Sequence, residues 1–217
     1  MLDDRMPLFT IAVAGVLGYL VGSFPTAYVL VRHTRQLDIR HAGSGNVGAL
    51  NSYQVTGSRL VGVLVLVLDL LKGAAAAAGG EALVPSGGVV AGVLAVLGHN
   101  YPPWLGWKGG RGLAPAAGVS FVVMPALFVG WVVCWLPAFL VLRHVNVASA
   151  VGCTCVLLLA LVLPGGLWGL GLPEHAGPTV FRVFVAVLMI ILLTRLVGPV
   201  TEYAAELKKK RLEERRP

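Results

Sequence analysis

Two glycine-rich polar segments interrupt this otherwise apolar chain, and the first, residues 38–51, reads DIRHAGSGNVGALN. Closely spaced glycines allow successive backbone N–H groups to point into one concavity, which is a common way of binding phosphate. The segment also leads towards a helix start, where the helix dipole favours an anion. A flexible turn between two helices is the alternative. The candidate phosphate-binding residues are Gly43, Ser44, Gly45, Asn46, Gly48 and Asn51.

The second segment, residues 97–112, reads LGHNYPPWLGWKGGRG and combines cations with glycines. Positive charge next to a closely approachable backbone suits a phosphate ligand. Trp104 and Trp107 are better explained as anchors at the headgroup level of a membrane. A contribution to membrane orientation alone is the alternative role for the two cations. The candidates for chemistry in this segment are His99, Asn100, Lys108, Gly109, Gly110 and Arg111.

A third charged motif, DLLKG at residues 69–73, lies inside an apolar run. Asp69 and Lys72 are three residues apart, so a helix places them on one face. A charged pair inside a membrane span is costly and tends to be functional or to line a polar site. The sequence leaves two interpretations open, a structural ion pair and a wall of the active site.

The elements that must position these motifs are membrane helices. Only 12% of the residues are charged and 57% are hydrophobic, with a mean hydropathy of +0.82. Soluble domains carry about 25% charged residues, so most of this chain is solvated by lipid. Membrane topology and anionic lipids explain the net charge of +7 better than nucleic acid does. The three cysteines lie in apolar runs and are interpreted as packing residues without a metal.

Apolar runs predict an all-α integral membrane protein with about seven transmembrane helices. The predicted runs are 8–31, 60–79, 87–98, 113–129, 130–142, 147–164 and 179–198. The stretch 113–142 is too long for one span, and we predict a turn near Gly130. Residues 1–203 form the predicted membrane domain, and residues 204–217 form a charged, solvated tail.

The distribution of Lys and Arg predicts the orientation, with the N-terminus outside and the C-terminus in the cytoplasm. Most basic residues fall on one side of a seven-span arrangement, in the first, third and fifth loops and the tail. The opposite side carries acidic residues instead, namely Asp3, Asp4, Glu81 and Glu174. Both glycine-rich segments then face the cytoplasm, and we expect residues 38–51 and 97–112 to lie close together there.

Taken together, these motifs resemble the bacterial acyl-phosphate:glycerol-3-phosphate acyltransferases, the PlsY-type family. The resemblance is carried by GSFPTAY at 22–28, by residues 38–51, by DLLKG at 69–73 and by LGHNYPPWLGWKGGRGLAPAAG at 97–118. It implies a seven-span enzyme of the bacterial plasma membrane with a cytoplasmic active site. The implied reaction moves an acyl group from acyl phosphate to glycerol 3-phosphate in phospholipid synthesis, giving lysophosphatidic acid without a metal or cofactor.

The same resemblance implies roles for individual residues. Ser44, His99, Lys108 and Arg111 are the expected catalytic residues. Lys72 and Asn100 are expected at the substrate, with the loop glycines. Further substrate-binding residues are expected at the positions that correspond to later family motifs, which are Asn146, Ser149, Arg195 and Glu202.

The chain departs from the family pattern, most of all in the last motif. Leu50 and Gln54 replace a Thr and an Arg of the first motif, and Met189 and Leu192 replace a His and an Asn of the last. Two alternatives follow. One is a non-catalytic or retasked relative that binds a phosphorylated lipid intermediate or a partner enzyme. The other is a small anion transporter, against which the absence of an inverted repeat argues.

Overall fold

The computed structural model describes residues 5–162 and 177–214, and all regular elements in these ranges are helical. The α-helices are α1 (Arg5–Gly22), α2 (Thr26–Arg35), α3 (Ala49–Thr56), α4 (Arg59–Leu83), α5 (Gly87–Asn100), α6 (Leu113–Val123), α7 (Pro125–Leu142), α8 (Val145–Val162) and α9 (Pro178–Glu214). The prediction of an all-α fold is confirmed for this part of the chain. Asp3, Asp4, Glu174 and the end of the predicted tail, residues 215–217, lie outside it.

Five stretches within the described ranges are long and apolar enough to cross a bilayer: Pro7–Arg35, Arg59–Leu83, Pro125–Leu142, Val145–Val162 and Thr179–Glu214. Their outer faces carry large apolar side chains, and Leu8, Val141 and Val162 are 73%, 80% and 78% exposed. Such continuous apolar surface requires lipid around it. The count of seven spans stays a prediction.

The first apolar run, predicted at residues 8–31, lies within the candidate span Pro7–Arg35, but this stretch is not one continuous helix. It breaks at Ser23 and Phe24, and α2 starts directly after Pro25. Proline lacks the N–H that a continuing helix needs, and it disfavours helical geometry in the residue before it. The break leaves the Phe24 carbonyl free to accept a hydrogen bond from Lys72 Nζ at 3.0 Å.

The predicted turn near Gly130 is wrong. The chain turns at Met124, whose φ of −164° and ψ of 88° are extended, and α7 begins at Pro125. Gly130 and Pro137 both lie inside α7. Pro125 ends the preceding helix because a residue before proline avoids the helical region, whereas a helix tolerates a lone glycine.

Small residues allow a very close helix contact between α1 and α5. A Cβ added at Gly18 or Gly22 would collide with the backbone of Ala91 or Ala95, respectively. Backbones can approach this closely only where side chains are minimal, which is a frequent basis of helix association in membranes. This contact fixes α5, whose last residues are His99 and Asn100, against the first span.

Two apolar clusters organise the interior. The larger lies among α5, α6, α8 and α9 and includes Val96, Val119, Val156 and Leu188. The smaller cluster joins α2 and α4 to the segments between helices. Its buried members are Ala27, Val31, Ile39, Val47, Val61, Val65 and Leu105. Since Val47 and Leu105 come from the two glycine-rich segments, this cluster packs those segments against each other.

Candidate active site

The first glycine-rich segment is anchored at its start by an ion pair. Arg40 Nη2 donates to Asp38 Oδ2 at 2.7 Å, and the Arg40 backbone N–H donates to Asp38 Oδ1 at 3.0 Å. The hydrogen-bonded guanidinium lowers the pKa of the Asp38 carboxyl from 3.8 to about 2. The same guanidinium lies 5.4 Å from the ring centre of Tyr28 in α2. The segment is therefore fixed to the helix that precedes it.

Asn51, in the first turns of α3, braces the rest of this segment. Its side chain is buried, and Oδ1 accepts the Ser44 N–H at 3.0 Å. Its Nδ2 donates to the Asn46 carbonyl at 2.9 Å and to the Ala42 carbonyl at 3.0 Å. One side chain thus mimics the backbone pairing that the irregular segment lacks. The structure gives Asn51 a bracing position behind the loop.

Several backbone N–H groups of this segment are already bonded within it. Ser44 N–H is held by Asn51, Gly45 N–H donates to the Ala42 carbonyl at 3.1 Å, and Gly48 N–H donates to the Asn46 carbonyl at 3.1 Å. These three amides are therefore not free to form the anion cradle that the sequence predicted. Ser44 itself is exposed, so its hydroxyl is the group of this loop that can meet a ligand.

The second glycine-rich segment folds back onto the end of α5. Gly109 N–H donates to the Asn100 carbonyl and Gly110 N–H to the His99 carbonyl, both at 3.1 Å. From the other side, Arg195 of α9 donates from Nη2 to the Gly109 carbonyl at 2.9 Å and from Nε to the Gly110 carbonyl at 3.1 Å. The segment is therefore clamped between two helices immediately before Arg111.

The two glycine-rich segments lie against each other, as the sequence predicted. Arg40 Nη1 donates to the Leu105 carbonyl at 3.5 Å. Val47 and Leu105 share the smaller apolar cluster, and a Cβ on Gly110 would stand 2.7 Å from the Val47 carbonyl oxygen. Groups from both segments therefore reach a common space.

That space is an open cavity of about 320 Å³ between α3, the turn from α7 to α8 and the residues 199–206 of α9. Its volume is within the range of about 300–1,000 Å³ that is usual for small-molecule sites. The lining residues are Ser44, Leu50, Gln54, Arg111, Arg143, His144, Val145, Asn146, Pro199, Glu202, Tyr203 and Glu206. Within the described ranges no three His, Cys, Asp or Glu side chains come together as a metal site.

Arg111 is the half-buried cation of this cavity. Its Nη1 donates to Asn146 Oδ1 at 2.7 Å, which orients the guanidinium from across the cavity. Burial lowers the pKa of Arg111, while the Glu202 carboxylate acts in the opposite direction. Since arginine titrates far above neutral pH, the group stays charged. An oriented, poorly hydrated guanidinium is suited to binding phosphate.

Comparisons with known proteins agree with this chemistry. A family described as Glycerol-3-phosphate acyltransferase matches residues 12–198. The chain is 38% identical over 165 residues to a glycerol-3-phosphate acyltransferase of Agrobacterium fabrum, covering 76% of both chains, and 41% identical over 145 residues to one of Myxococcus xanthus, covering 65% of this chain and 75% of the relative. The chain belongs to the glycerol-3-phosphate acyltransferase family.

Solved structures of this family share the fold. The crystal structure of PlsY (YgiH), an integral membrane glycerol 3-phosphate acyltransferase, in its glycerol 3-phosphate form superposes with a TM-score of 0.74 at 30% identity, covering 90% of this chain and 92% of that one. The lysophosphatidic acid form gives a TM-score of 0.72 at 28% identity. The predictions of a membrane acyltransferase of phospholipid synthesis that acylates glycerol 3-phosphate are confirmed.

Four of the predicted site residues of this acyltransferase line the large cavity: Ser44, Arg111, Asn146 and Glu202. Gly43, Gly45, Asn46 and Gly48 belong to the loop that presents Ser44, and Gly109 and Gly110 belong to the loop that presents Arg111. Arg195 holds that second loop by donating hydrogen bonds to the backbone carbonyls of Gly109 and Gly110. Its guanidinium also lies 5.2 Å from the ring centre of Tyr101.

His99 and Lys72 lie in a separate buried cluster around Asp69. Lys72 Nζ is 2.7 Å and His99 Nδ1 is 3.7 Å from Asp69 Oδ1. A cavity of about 10 Å³ lies beside both side chains, and Lys72 also lines an open, mainly apolar cavity of about 580 Å³ between α1 and α4. The Nδ1 side of the His99 ring is turned towards Asp69, whereas its Nε2 side packs against Gly110, directly before Arg111. Lys72 links Asp69 to the helix break at Phe24. Catalytic and substrate-binding roles of His99 and Lys72 stay predictions.

Three further predicted residues stand away from the cavity. Asn100 is fully buried and donates to the Ile191 carbonyl at 3.5 Å. Ser149 is fully buried, and its hydroxyl donates to the Val145 carbonyl at 2.8 Å. Lys108 is exposed on the loop before Gly109. Asn100 and Ser149 thus support the helix ends around the site, while Lys108 adds charge outside it.

The sequence analysis missed several residues that line the cavity, above all Arg143, His144, Tyr203 and Glu206. Arg143, in the fifth loop, contributed only to the prediction of membrane orientation. The adjacent Arg and His, placed two residues before Asn146 at the end of an apolar run, are the signal that could have revealed this turn. Met189 and Leu192, where the family motif has polar residues, are buried in the larger apolar cluster of α9.

Proposed function

We propose that the enzyme transfers the acyl group of an acyl phosphate to the 1-hydroxyl of glycerol 3-phosphate, releasing lysophosphatidic acid and inorganic phosphate. The observation that carries this proposal is the cavity in which Ser44 and Arg111 face Asn146. Acyl phosphate is an activated donor with a good leaving group. The protein therefore needs mainly to hold two anions together and to stabilise charge in the transition state.

In this reaction the acceptor hydroxyl oxygen forms a bond to the acyl carbonyl carbon, and the bond from that carbon to the phosphate oxygen breaks. The departing phosphate takes the proton of the attacking hydroxyl, so no protein base is required. Arg111, oriented by Asn146, would stabilise the negative charge of the donor phosphate. The Ser44 hydroxyl would donate a hydrogen bond, and Glu202 would accept one from a glycerol hydroxyl.

We also propose that the cavity faces the cytoplasm of a bacterial plasma membrane and that seven spans surround it. Adding α5 and α6 to the five long apolar stretches supports this count. At 14 and 11 residues these two helices are short for a bilayer, which local thinning can accommodate. The orientation can be tested with Gln36→Cys and Pro85→Cys, each made after replacement of the native cysteines. When intact cells are labelled from outside, only the Pro85→Cys variant should react.

The test of the reaction is phosphate release from palmitoyl phosphate by the purified protein, with and without glycerol 3-phosphate. Release that depends on glycerol 3-phosphate, with lysophosphatidic acid formed in equal amount, is expected. Arg111→Gln should lower kcat roughly 10²-fold or more, because it removes a preorganised charge from the transition state. Asn146→Asp should also lower the rate, since its carboxylate would neutralise Arg111. Folded protein without any release would overturn the proposal.

A further inference from the structure

We propose that the turn between α7 and α8, through Arg143 and His144, binds the phosphate of the acceptor glycerol 3-phosphate. This inference rests on the proposed function and assigns to the acceptor the open side of the same cavity. Both residues line the cavity with Arg111. These two residues make up the whole turn, since α7 ends at Leu142 and α8 begins at Val145.

Arg143 is the residue that ends α7. Its φ of 52° and ψ of 23° are left-handed, a common way to end a helix, and its N–H donates to the Phe139 carbonyl at 2.8 Å. The cap places the side chain of Arg143 on the turn that lines the cavity. Arg143 Nε donates to the Leu140 carbonyl at 3.0 Å, which fixes the base of the guanidinium.

The remaining N–H groups of Arg143 are available for a ligand. Across the described ranges no carboxylate lies within ion-pair distance of its guanidinium. Arg111, by contrast, already donates to Asn146 at 2.7 Å. The cavity therefore holds one cation committed to a fixed partner and a second one that is free at its open side.

His144 is prepared as a hydrogen-bond donor. Its Nδ1 accepts the Val147 N–H at 3.4 Å, so the neutral ring carries its proton on Nε2. The ring lies 4.3 Å from the ring of Tyr203 at an interplanar angle of 34°, which restricts its rotation. A neutral imidazole N–H beside a free guanidinium is a suitable pair for phosphate oxygens. The N-terminus of α8, which begins at Val145, adds its positive dipole end to the same side.

The charge of the lining explains why a second arginine is needed. Glu202 and Glu206 bring two carboxylates to the cavity that Arg111 and Arg143 also line. A phosphate dianion added beside Arg111 alone would meet more negative than positive charge. With Arg143 directed at the ligand, each arginine can serve one of the two substrate phosphates.

The position of the two arginines also indicates which phosphate each binds. Arg143 is exposed, whereas Arg111 is half-buried. Glycerol 3-phosphate is soluble and enters from the aqueous side, so it meets Arg143 and His144. The acyl phosphate is tethered to a chain in the lipid, which places its phosphate with the deeper Arg111.

The decisive measurement is steady-state kinetics of the full-length protein with each substrate varied in turn. Arg143→Gln should raise the KM for glycerol 3-phosphate by about ten- to a hundredfold, the value of a charge-assisted hydrogen bond. The kcat and the KM for palmitoyl phosphate should stay within about threefold. A contact that binds glycerol 3-phosphate equally strongly in the ground state and in the transition state changes only the KM for that substrate when it is lost. Arg32→Gln is the matched control, because Arg32 also donates to a helix-end carbonyl but does not line the cavity.

A rescue variant separates a lost charge from a lost structure. Gln54 lines the same cavity from α3, so Gln54→Arg in the Arg143→Gln background should bring the KM for glycerol 3-phosphate back towards that of the unmodified enzyme. His144→Phe keeps an aromatic ring against Tyr203 but removes the donor, and it should raise the same KM about fivefold to tenfold. Should Arg143→Gln not fold, His144→Phe decides, since it removes the other proposed donor of the turn and should raise the same KM.

The outcomes that overturn the inference differ from those that overturn the proposed function. An unmodified enzyme that releases no phosphate with glycerol 3-phosphate contradicts the reaction itself. An active enzyme whose KM for glycerol 3-phosphate changes less than twofold on Arg143→Gln contradicts the role of the turn. A change confined to the KM for palmitoyl phosphate also contradicts it, because it would assign Arg143 to the donor. Failure of Gln54→Arg to lower the raised KM would show that charge in this cavity is not the cause.

Discussion

Arg195 donates from Nε to the Gly110 carbonyl at 3.1 Å, so the last helix holds the loop on which Arg111 stands. A planar guanidinium can bridge the Gly109 and Gly110 carbonyls together, whereas a lysine ammonium cannot reproduce this fork. We expect Arg195→Met to lower kcat/KM by about ten- to a hundredfold through loss of two charge-assisted bonds. Arg195→Lys should recover part of the loss. Kinetics alongside thermal unfolding would check this, and an unchanged kcat/KM in Arg195→Met would contradict it.

The hydrogen bonds of Asn51 lead to a second prediction, which concerns the stability of the loop that carries Ser44. Asn51→Ala removes four hydrogen bonds and leaves the Ser44 N–H without its acceptor, which should destabilise the protein by about 1–3 kcal/mol. Asn51→Asp keeps an acceptor for the Ser44 N–H but cannot donate to the Ala42 and Asn46 carbonyls. It should therefore be at least as destabilising as Asn51→Ala. The midpoint of thermal unfolding measures both, and a stable Asn51→Asp variant would argue against the brace.

The close packing around Gly110 leads to a prediction about adding a side chain at this position. A methyl group there would collide with the His99 ring and approach the Val47 carbonyl oxygen to 2.7 Å. Gly110→Ala should therefore separate the two loops at a cost of about 1–3 kcal/mol and abolish most activity. Gly130→Ala is the control, because no atom lies within 4 Å of its added Cβ. Equal activities of the two variants would show that the loops do not need this contact.

Asp38 predicts a pH dependence of stability. Its pKa is about 2 in the folded protein against an ordinary value of 3.8, so the folded state favours the ionised form. The stabilisation is complete above about pH 4 and is lost as the pH falls from about 4 to about 2. Thermal unfolding should weaken over this interval, and Asp38→Asn should remove that part of the pH profile. A variant with the same acid sensitivity as the unmodified protein would assign the effect to other carboxyls.

The helices and the meeting of the two loops could be predicted because local sequence determines them. Apolar runs give the spans, and glycines with polar neighbours mark the segments between them. The position of the turn before α7 was missed because Pro125 and Gly130 compete locally, and only proline removes a backbone donor. The roles within the site were harder to predict, since Asn51 and Arg195 act through carbonyls of residues that are distant in sequence.

The cavity lining also depends on contacts that sequence order hides. Gln54 lies in α3, Arg143 in the turn after α7 and Glu206 in α9, so these residues meet only because the fold brings distant parts of the chain together. The polar motif did not reveal that the His99 ring joins Asp69 of α4 to Gly110 of the second loop, because these partners meet only in the tertiary fold.

The bond from Lys72 to the Phe24 carbonyl has a consequence for the biogenesis of the protein. Translocating α4 by itself would carry Asp69 and Lys72 into the bilayer, at about 2.5–3.5 kcal/mol for each charge at a span centre. The acceptor at Phe24 belongs to the segment made earlier on the ribosome, so it is in place when α4 emerges. His99 follows later and completes the cluster. We expect α4 to insert efficiently only behind its own N-terminal segment, which makes the order of synthesis part of how this membrane domain assembles.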